Sequence, residues 1–239
     1  MNHIQDQTYP QGIIKTVNKK SPYELKIEEL FADGRERSYP KNQLIHYQGD
    51  SLTHLYLLRE GHIKAYTILD SGDTRTILLL SPGDIFPLAF STSLDWKNYH
   101  IKHFYQTLTA TTVQAVECDV FKRQIETDPA KMQIYASYLS ASNQALMNQL
   151  EVMKNKKAIN KVELLLPYLI LKLGDQIAPK TYKLRIRLSH QEVADISGVT
   201  RETTTTLVKQ LENSGVLEQI SGHWIIHTDK TEAGSFEED

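Results

Sequence analysis

Two adjacent side chains, Arg201 and Glu202, carry the chemistry with which proteins read DNA bases. An arginine can donate two hydrogen bonds to O6 and N7 of guanine, and a glutamate can accept one from N4 of cytosine. Both follow Thr200, whose hydroxyl favours the start of a helix. The same candidate surface is extended by four more polar residues, Thr203, Thr205, Thr206 and Lys209. We therefore predict a helix beginning after Thr200 with Arg201 and Glu202 at its first turn.

The residues before this helix predict a shorter helix that ends in a tight turn. Ser189 is followed three residues later by Glu192, which is the spacing of a capping box. Gly198 suits the left-handed conformation that often follows a helix end. Two helices joined by a short glycine-containing turn are the helix-turn-helix, whose second helix enters the DNA major groove. Ser189 and Gln191, at the start of the first helix, are included among the predicted DNA contacts.

The residues after the second helix predict a β-hairpin. Two short apolar runs, at 216–220 and 223–227, flank the turn Ser221-Gly222. A hairpin in this position is typical of the winged form of the motif. The two helices alone would also be explained by a helical hairpin in any small domain. It is therefore the following β-hairpin that favours DNA binding.

The length and cysteine usage limit the class of protein. With 239 residues the chain suits two modest domains. No apolar run reaches the roughly 18 residues of a membrane helix, and the N-terminus lacks the core of a signal peptide. Cys118 is the single cysteine, which excludes an intramolecular disulfide and any four-cysteine zinc or iron–sulfur site. We therefore expect a cytoplasmic protein with no membrane partner.

The charge is unevenly distributed along the chain. The formal net charge is −2 at pH 7, which is unusual for a DNA-binding protein. Residues 155–210, however, hold ten lysine and arginine residues and five acidic residues, while the tail 229–239 is acidic. A locally basic segment fits contact with phosphates, and a solvated surface explains it nearly as well.

From Pro40 onward, glycines occur at regular intervals, as the turns of an antiparallel sheet do. Gly49, Gly61, Gly72 and Gly83 recur at intervals of 12, 11 and 11 residues. Short β-rich runs accompany them, at 44–47, 55–58, 63–69, 76–80, 104–110 and 112–116. Evenly spaced short strands with glycine turns predict an antiparallel roll or jelly roll.

Helical patterns surround this roll. Short helices are expected at 23–31 and 119–128, and no proline or glycine interrupts residues 130–157. In that long stretch one set of side chains recurs at spacings of three and four: Met132, Tyr135, Leu139, Ser142, Leu146, Gln149 and Met153. Such a seam fits a partner helix, although an amphipathic helix packed on its own roll gives the same pattern.

The segment between the long helix and the helix-turn-helix predicts three elements. A further apolar helix is expected at 159–173, with a kink or break near Pro167. A loop at 175–180 and a strand at 182–188 should then lead into the helix-turn-helix.

The order of roll, long helix and winged helix-turn-helix resembles the Crp/Fnr family (cyclic-AMP receptor protein/fumarate-nitrate regulator) of bacterial transcription regulators. The resemblance covers roughly residues 25–228. Four segments carry it: Tyr39-Pro40-Lys41 through Gly49-Asp50, the run 56–64, the run 81–86, and Leu188-Ser189-His190-Gln191-Glu192 through Arg201-Glu202-Thr203.

The resemblance implies an α+β protein with an N-terminal antiparallel β-roll of the cyclic-nucleotide-binding type (a jelly roll), a long dimerisation helix and a C-terminal winged helix-turn-helix. The boundaries are 1–22 for a flexible extension, 23–128 for the roll, 129–157 for the helix, 158–228 for the DNA-binding domain and 229–239 for a disordered tail. A homodimer on near-palindromic double-stranded DNA, a contact with RNA polymerase and allosteric control are also implied. The effector pocket would include Gly83, Asp84, Ile85 and Phe86.

The resemblance also implies roles within the second helix of the motif, with one departure. Arg201 and Glu202 would read a G·C pair in each half-site, and Thr203 would hold a phosphate. The family usually carries a second arginine five residues after the first, where this chain has Thr206. A threonine cannot fork onto guanine, although its methyl group can touch that of thymine. Thr204 stands where the family usually has a buried apolar residue.

The sensor region departs further from the family. Members that bind cyclic AMP hold its phosphate with a Gly-Glu pair and a following Arg-Ser or Arg-Thr. Here Gly83 is followed by Asp84, and no arginine lies between Arg75 and Arg123. A cyclic phosphate would then be buried largely unpaired, at a cost on the order of several kcal/mol. Control by cyclic AMP is therefore disfavoured, and one cysteine cannot form the iron–sulfur cluster of the oxygen-sensing branch.

No other cofactor is supported by the sequence, although an unknown small-molecule effector stays open. Haem has no support because the scattered histidines are explained as surface or packing residues: His46, His54, His62, His100 and His103. The spacing of Gly49, His54 and Glu60 faintly resembles the cupin metal motif, but Tyr56 stands where a second histidine is needed.

Two other classes of protein are the alternatives to a DNA-binding regulator. One is a cupin-like metal enzyme, and the other is a regulatory or adaptor protein that kept the fold and lost DNA binding. The sequence shows no nucleophile–base pair, phosphate loop or metalloprotease motif, so we predict no catalytic residue, no metal site and no enzyme.

Overall fold

A computed structural model describes residues 24–87, 99–153 and 158–230 of the chain. The described residues divide into two compact units, one within residues 24–153 and the other formed by residues 158–230. In the described ranges no helix combines the length and the apolar character needed to cross a bilayer. The predicted N-terminal extension and nearly all of the acidic tail lie outside the described residues.

The first unit is an antiparallel β-roll with helices before and after it in the chain. Helix α1 (Glu24–Ile27) continues into a 3-10 turn (Glu28–Phe31), and α2 (Cys118–Thr127) and α3 (Pro129–Met153) follow the roll. The eight strands are β1 (Arg35–Tyr39), β2 (Leu44–His46), β3 (His54–Glu60), β4 (Ile63–Ile68), β5 (Thr74–Leu80), β6 (Ile85–Phe86), β7 (Phe104–Thr107) and β8 (Thr111–Glu117).

Two four-stranded antiparallel sheets form the roll, in the orders β1-β8-β3-β6 and β2-β7-β4-β5. Gly72 has a φ of 88° in the β4–β5 turn, where the N–H of Leu69 donates to the carbonyl of Asp73 at 2.8 Å. Gly61 is more constrained, because a Cβ there would lie 2.3 Å from the carbonyl oxygen of Ala110. The predicted roll with glycine turns is therefore confirmed.

The helices of this unit pack against the roll through aromatic side chains. Phe31 and Phe121 have ring centroids 5.6 Å apart, and Tyr135 lies edge-on to Phe121 at 5.2 Å. The backbone N–H of Ile85 donates to the hydroxyl of Tyr138 at 2.8 Å. The first half of α3 is thus anchored on its own roll.

This anchoring corrects one residue of the predicted dimer seam. Tyr135 is only 4 % exposed within a single copy, so it cannot face a partner helix, because its ring completes the core against Phe121. Met132 is 42 % exposed. Three further seam residues are half-buried, namely Leu139, Ser142 and Leu146. The side chains of Gln149 and Met153 lie outside the described residues, as does the predicted end of the helix at 157.

In its described residues, the second unit combines three helices with one four-stranded sheet. Its elements are α4 (Ala158–Leu173), β9 (Gly174–Ala178), β10 (Thr181–Leu184), α5 (His190–Ser197), α6 (Arg201–Asn213), β11 (Leu217–Ile220) and β12 (His223–His227). The strand order is β11-β12-β10-β9, and α4 packs on α5, α6, β9 and β10. Trp224 and Ile226, on β12, are among the buried side chains of this unit.

Two predictions for this unit need correction. Of the kink or break predicted near Pro167, the break is wrong, because helix α4 continues through this residue, although a proline inside a helix costs about 3 kcal/mol. The apolar side chains that α4 buries offset that cost: Val162, Leu166, Leu169, Ile170 and Leu173 are at most 1 % exposed. The predicted loop at 175–180 is instead largely strand β9, which pairs with β10.

Two of the strands that the sequence pattern missed, β1 and β9, share one property. In β1 four of five side chains are exposed, and in β9 four of five are exposed. Both are polar strands at the edge of a sheet, where exposed side chains produce no apolar alternation. The hydrogen-bonded part of the predicted strand 182–188 is also shorter, since β10 ends at Leu184.

Candidate nucleic-acid interface

The start of α5 is fixed by a reciprocal pair of hydrogen bonds. The Ser189 hydroxyl accepts from the backbone N–H of Glu192 at 3.2 Å, and the Glu192 carboxylate accepts from the N–H of Ser189 at 2.7 Å. This confirms the predicted capping box. Next to it, the amide of Gln191 donates to Asp195 at 2.7 Å across one helical turn.

The turn between α5 and α6 has the predicted glycine and cap. Gly198 adopts a φ of 74°, and its N–H donates to the carbonyl of Ala194 at 2.9 Å. The Thr200 hydroxyl accepts from the N–H of Thr203 at 3.2 Å and so caps α6. Because Thr200 is the cap, Arg201 and Glu202 occupy the first turn of α6.

The outward face of α6 carries the residues predicted to contact DNA. Arg201, Glu202, Thr206 and Lys209 are exposed, and Thr203 and Thr205 are half-buried. The opposite face packs into the unit through Thr204, Leu207, Val208 and Leu211. A helix repeats every 3.6 residues, so positions 201, 202, 205, 206 and 209 fall on one side. The structure therefore brings the predicted readers together on one surface.

Thr204 is the single polar member of the packed face. It is 0 % exposed, and its hydroxyl has no hydrogen-bond partner among the described residues. The family resemblance implies a buried side chain at this position, and Thr204 is buried. A buried hydroxyl without a partner costs free energy, so Thr204 lowers the stability of the unit.

His190 is a functional candidate that the sequence did not reveal. Its Nδ1 lies 2.9 Å from the Thr205 hydroxyl, which itself donates to the carbonyl of Arg201 at 2.9 Å. Because the hydroxyl proton of Thr205 is directed to that carbonyl, Nδ1 of His190 must be the donor. The bond joins α5 to α6 across 15 residues of sequence, and no local pattern signals it.

The hairpin of β11 and β12 forms the predicted wing. Ser221 and Gly222 both have positive φ values, 52° and 79°, as a two-residue type I′ turn requires. The Arg187 side chain lies against this turn, 3.3 Å from where a Cβ of Gly222 would be. Of the basic residues, Lys183, Arg187, Arg201 and Lys209 are exposed, whereas Arg185 is paired with Asp175 at 2.6 Å.

The four residues of the predicted effector pocket are used by the roll itself. The Asp84 carboxylate accepts from the N–H of Ser81 at 2.8 Å, and Gly83, with a φ of 99°, forms the turn before β6. Ile85 is buried against Tyr138. The ring of Phe86 is stacked on Tyr56 at 5.1 Å. Residues 88–98, which follow directly, lie outside the described residues.

His46 lies in the same interior and was not among the predicted site residues. Its ring is 7 % exposed and edge-on to Tyr56 and Tyr105, at 5.2 Å and 6.1 Å. Burial lowers the pKa of His46 to about 4, although the nearby Asp50 acts in the opposite direction. His46 is therefore neutral at pH 7, and its Nε2 has no hydrogen-bond partner in the described part of the chain. Among the described residues no three histidine, cysteine or carboxylate side chains are grouped as a metal would need.

Two family models match the chain, one for each unit. The cyclic nucleotide-binding domain model matches residues 36–128, and the Crp-like helix-turn-helix domain model matches residues 166–232. The first match spans the roll from β1 to α2, and the second spans the winged helix-turn-helix.

Similar proteins agree with both models. The cyclic AMP receptor protein of Thermus thermophilus is 27 % identical over 188 residues, which cover 77 % of this chain and 79 % of that protein. The HTH-type transcriptional regulator ArcR of Staphylococcus haemolyticus is 24 % identical over 191 residues, covering 80 % and 81 %. The structure of FixK2 from Bradyrhizobium japonicum superimposes with a TM-score of 0.70 at 17 % identity, covering 86 % of this chain and 98 % of that one.

ArcR is named a transcriptional regulator, and the structure of FixK2 shares the fold of this chain. The capped α6 with its exposed polar face supplies the DNA-reading element that such a regulator needs. The roll, the long helix and the winged helix-turn-helix together place this chain in the Crp/Fnr family of DNA-binding transcription regulators.

Proposed function

We propose that the chain acts as a homodimer on a near-palindromic operator, with the α6 helices of the two copies in successive major grooves. The observation that carries this proposal is the first turn of α6, where Arg201 and Glu202 are side by side and exposed behind a capped N-terminus. Residues at the start of a recognition helix reach base edges. Arg201 donates to guanine and Glu202 accepts from the paired cytosine, so each half-site contains a G·C pair.

The remaining polar residues of the interface position the unit on the DNA backbone. Ser189 and Thr200 cap α5 and α6, and the N–H groups at helix N-termini favour phosphate oxygens. Gln191 and Thr203, close to these caps in sequence, and Lys209, further along α6, contact phosphates or sugars. Such contacts fix register and orientation and carry no sequence information themselves.

The two copies meet through the exposed side of α3. Met132 and Met147 are 42 % and 55 % exposed in one copy, which is unusual for large apolar side chains. Leu146, which precedes Met147 in the sequence, is half-buried. Tyr135 is excluded from this surface because it is already buried in its own roll.

Regulation is allosteric and does not depend on cyclic AMP in the usual manner. The first relative is named for cyclic AMP, yet this chain has no arginine between Arg75 and Arg123, and the Asp84 carboxylate is bonded to Ser81. An unidentified small molecule that binds the roll would favour one arrangement of the dimer by differential affinity. The regulator acts in the cytoplasm, where it contacts RNA polymerase.

Selection of bound DNA from a random duplex pool tests this proposal, together with light scattering of the purified protein. We expect an inverted repeat with a G·C pair in each half-site and half-sites about one helical turn apart, roughly 34 Å. A recovered motif without that pair would remove the roles of Arg201 and Glu202. A protein that stays monomeric at every concentration and shows no preference among duplexes would overturn the whole proposal.

A further inference from the structure

The hydroxyl groups of three of the four threonines on α6 are already engaged within the described part of the protein, that of Thr204 being the exception. The Thr206 hydroxyl donates to the carbonyl of Glu202 at 3.2 Å, and the Thr205 hydroxyl donates to the carbonyl of Arg201. The Thr203 hydroxyl accepts from Thr200 at 2.9 Å. A threonine that donates to the carbonyl four residues earlier keeps its methyl group for other contacts.

Thr206 differs from the other two in its exposure. Thr203 and Thr205 are half-buried, and Thr205 is additionally held by His190. Thr206 is exposed and lies one turn after Glu202 on the outward face of α6. Among these three residues, Thr206 alone combines an engaged hydroxyl with full access to a groove.

The position of Thr206 places it near the G·C pair of the proposed operator. Four residues of helix span about 6 Å, and successive base pairs are about 3.4 Å apart. A side chain at 206 is therefore within about two base pairs of the contact made by Glu202. In the major groove, the C5-methyl group of thymine is the apolar group that an aliphatic side chain can meet.

We infer that Thr206 is a specificity-determining residue, which reads a thymine in each half-site through contact between its methyl group and the C5-methyl group of the base. This inference rests on the proposed function, since it needs α6 in the major groove. It assigns selectivity to a residue that cannot form the two guanine contacts of an arginine.

A pair of substitutions separates the methyl group from the hydroxyl group. Thr206→Val keeps a methyl group and the branched shape and loses the hydroxyl, whereas Thr206→Ser keeps the hydroxyl and loses the methyl. We expect Thr206→Val to bind the selected operator as wild type does. Thr206→Ser should bind it about threefold to fivefold more weakly for each half-site, the size that burial of one methyl group gives.

The same methyl contact can also be removed by changing the DNA instead of the protein. Thymines within two base pairs of the selected G·C pair are replaced one at a time by deoxyuridine, which lacks only the C5-methyl group. At one of these positions, the DNA affinity of wild type and of Thr206→Val should fall by the same threefold to fivefold. The affinity of Thr206→Ser should not change there. Affinities are measured by fluorescence anisotropy at one fixed salt concentration.

Thr127 provides a matched control in the other unit. It is exposed at the end of α2, and its hydroxyl donates to the carbonyl of Arg123 at 2.7 Å, the same bond to the fourth preceding residue. Thr127→Val and Thr127→Ser should both leave DNA affinity unchanged. Loss of affinity in Thr127→Ser would mean that the effect of serine is not local to the groove.

The outcomes distinguish this inference from the proposed function. If wild type selects an operator but Thr206→Ser binds it as tightly as wild type, or if no deoxyuridine substitution weakens binding, Thr206 does not read thymine. If Thr206→Val weakened DNA binding and Thr206→Ser did not, the hydroxyl group would be making the contact, which would also overturn the inference. If wild type selects no sequence at all, the proposed function itself has failed.

Discussion

The two units of this regulator differ in what becomes of their predicted functional side chains. In the winged helix-turn-helix, Arg201, Glu202 and Thr206 are exposed on one face of α6. In the roll, the ring of Phe86 is buried in the core and the Asp84 carboxylate closes the turn that precedes β6. The family resemblance implies both sets, although the sensor region departs further from the family, and it is the DNA-binding set that is presented at a surface.

This difference shows that residues placed in a site by resemblance to a family can serve the fold instead. Both units keep the architecture of the family, as the two model matches show. The DNA-binding unit also keeps polar groups able to contact a ligand, whereas in the described part of the roll three aromatic rings surround a neutral His46. Function therefore has to be argued from each site in turn.

The largest effect should come from removing the ring at the centre of the roll. Phe86→Ala should lower the free energy of unfolding of the roll by about 4 kcal/mol, because a fully buried ring stacked on Tyr56 and Tyr105 is lost. Hydrogen exchange of roll peptides at increasing urea measures this. Leu69→Ala, at an exposed apolar residue of the same unit, is the control and should change stability by less than about 0.5 kcal/mol. A loss below about 1 kcal/mol for Phe86→Ala would show that the ring faces a cavity.

A slightly smaller effect should appear as a pH dependence of the roll. The pKa of His46 is lowered by burial to about 4 in the folded protein, against 6.5 unfolded, so between these values the unfolded chain binds the extra proton. The contribution of His46 is fully present above pH 6.5 and is lost as the pH falls towards 4, by roughly 3 kcal/mol. His46→Gln has no such proton, so urea unfolding at pH 8 and pH 4.5 should show a smaller loss of stability than wild type. Equal losses in the two proteins would contradict the buried, neutral imidazole.

In the DNA-binding unit, the guanidinium at the start of α6 should dominate recognition. Arg201→Ala should weaken binding to the selected operator by about 2 kcal/mol for each half-site, or roughly 30-fold, because two hydrogen bonds to guanine are lost. Binding to unrelated duplex should change far less, since one of many charges is removed. Anisotropy titrations with both duplexes measure the ratio of the affinity for the operator to that for unrelated DNA. Arg123→Ala, an exposed charge on α2, is the matched control, and an equal loss there would point to general electrostatics.

The smallest effect should be a gain in stability. Thr204→Val removes a buried hydroxyl that has no partner among the described residues and keeps the branched shape, so the DNA-binding unit should gain about 1 kcal/mol. DNA affinity should stay unchanged, because the residue faces the core. Thr204→Ser keeps the hydroxyl and should destabilise instead. A destabilised valine variant would reveal a hydrogen bond to the hydroxyl.

The sequence predicted the DNA-binding unit in unusual detail because the signals there are local. The Ser189–Glu192 box, the left-handed Gly198, the Thr200 cap and the Ser221-Gly222 turn each depend on residues within four positions of one another. Each was confirmed. A local rule needs no knowledge of the rest of the fold, and so it can be read directly from the chain.

Several of the features that were missed depend on partners that no local pattern identifies. His190 meets Thr205 across two helices, and Tyr135 meets Phe121 across a turn, so the predicted partner-facing tyrosine is a core residue. The polar edge strands β1 and β9 are defined by their neighbours rather than by their own alternation. The burial of His46 likewise follows from two sheets closing over it. Such contacts require the three-dimensional structure.

The hydrogen bond from His190 to Thr205 fixes the mutual orientation of α5 and α6 before a duplex arrives. An interface whose parts are already ordered loses less conformational entropy at the moment of association. Much of the ordering of α5 and α6 that DNA binding requires is thus completed when the chain folds. The DNA-binding surface is then preorganised when it contacts the duplex.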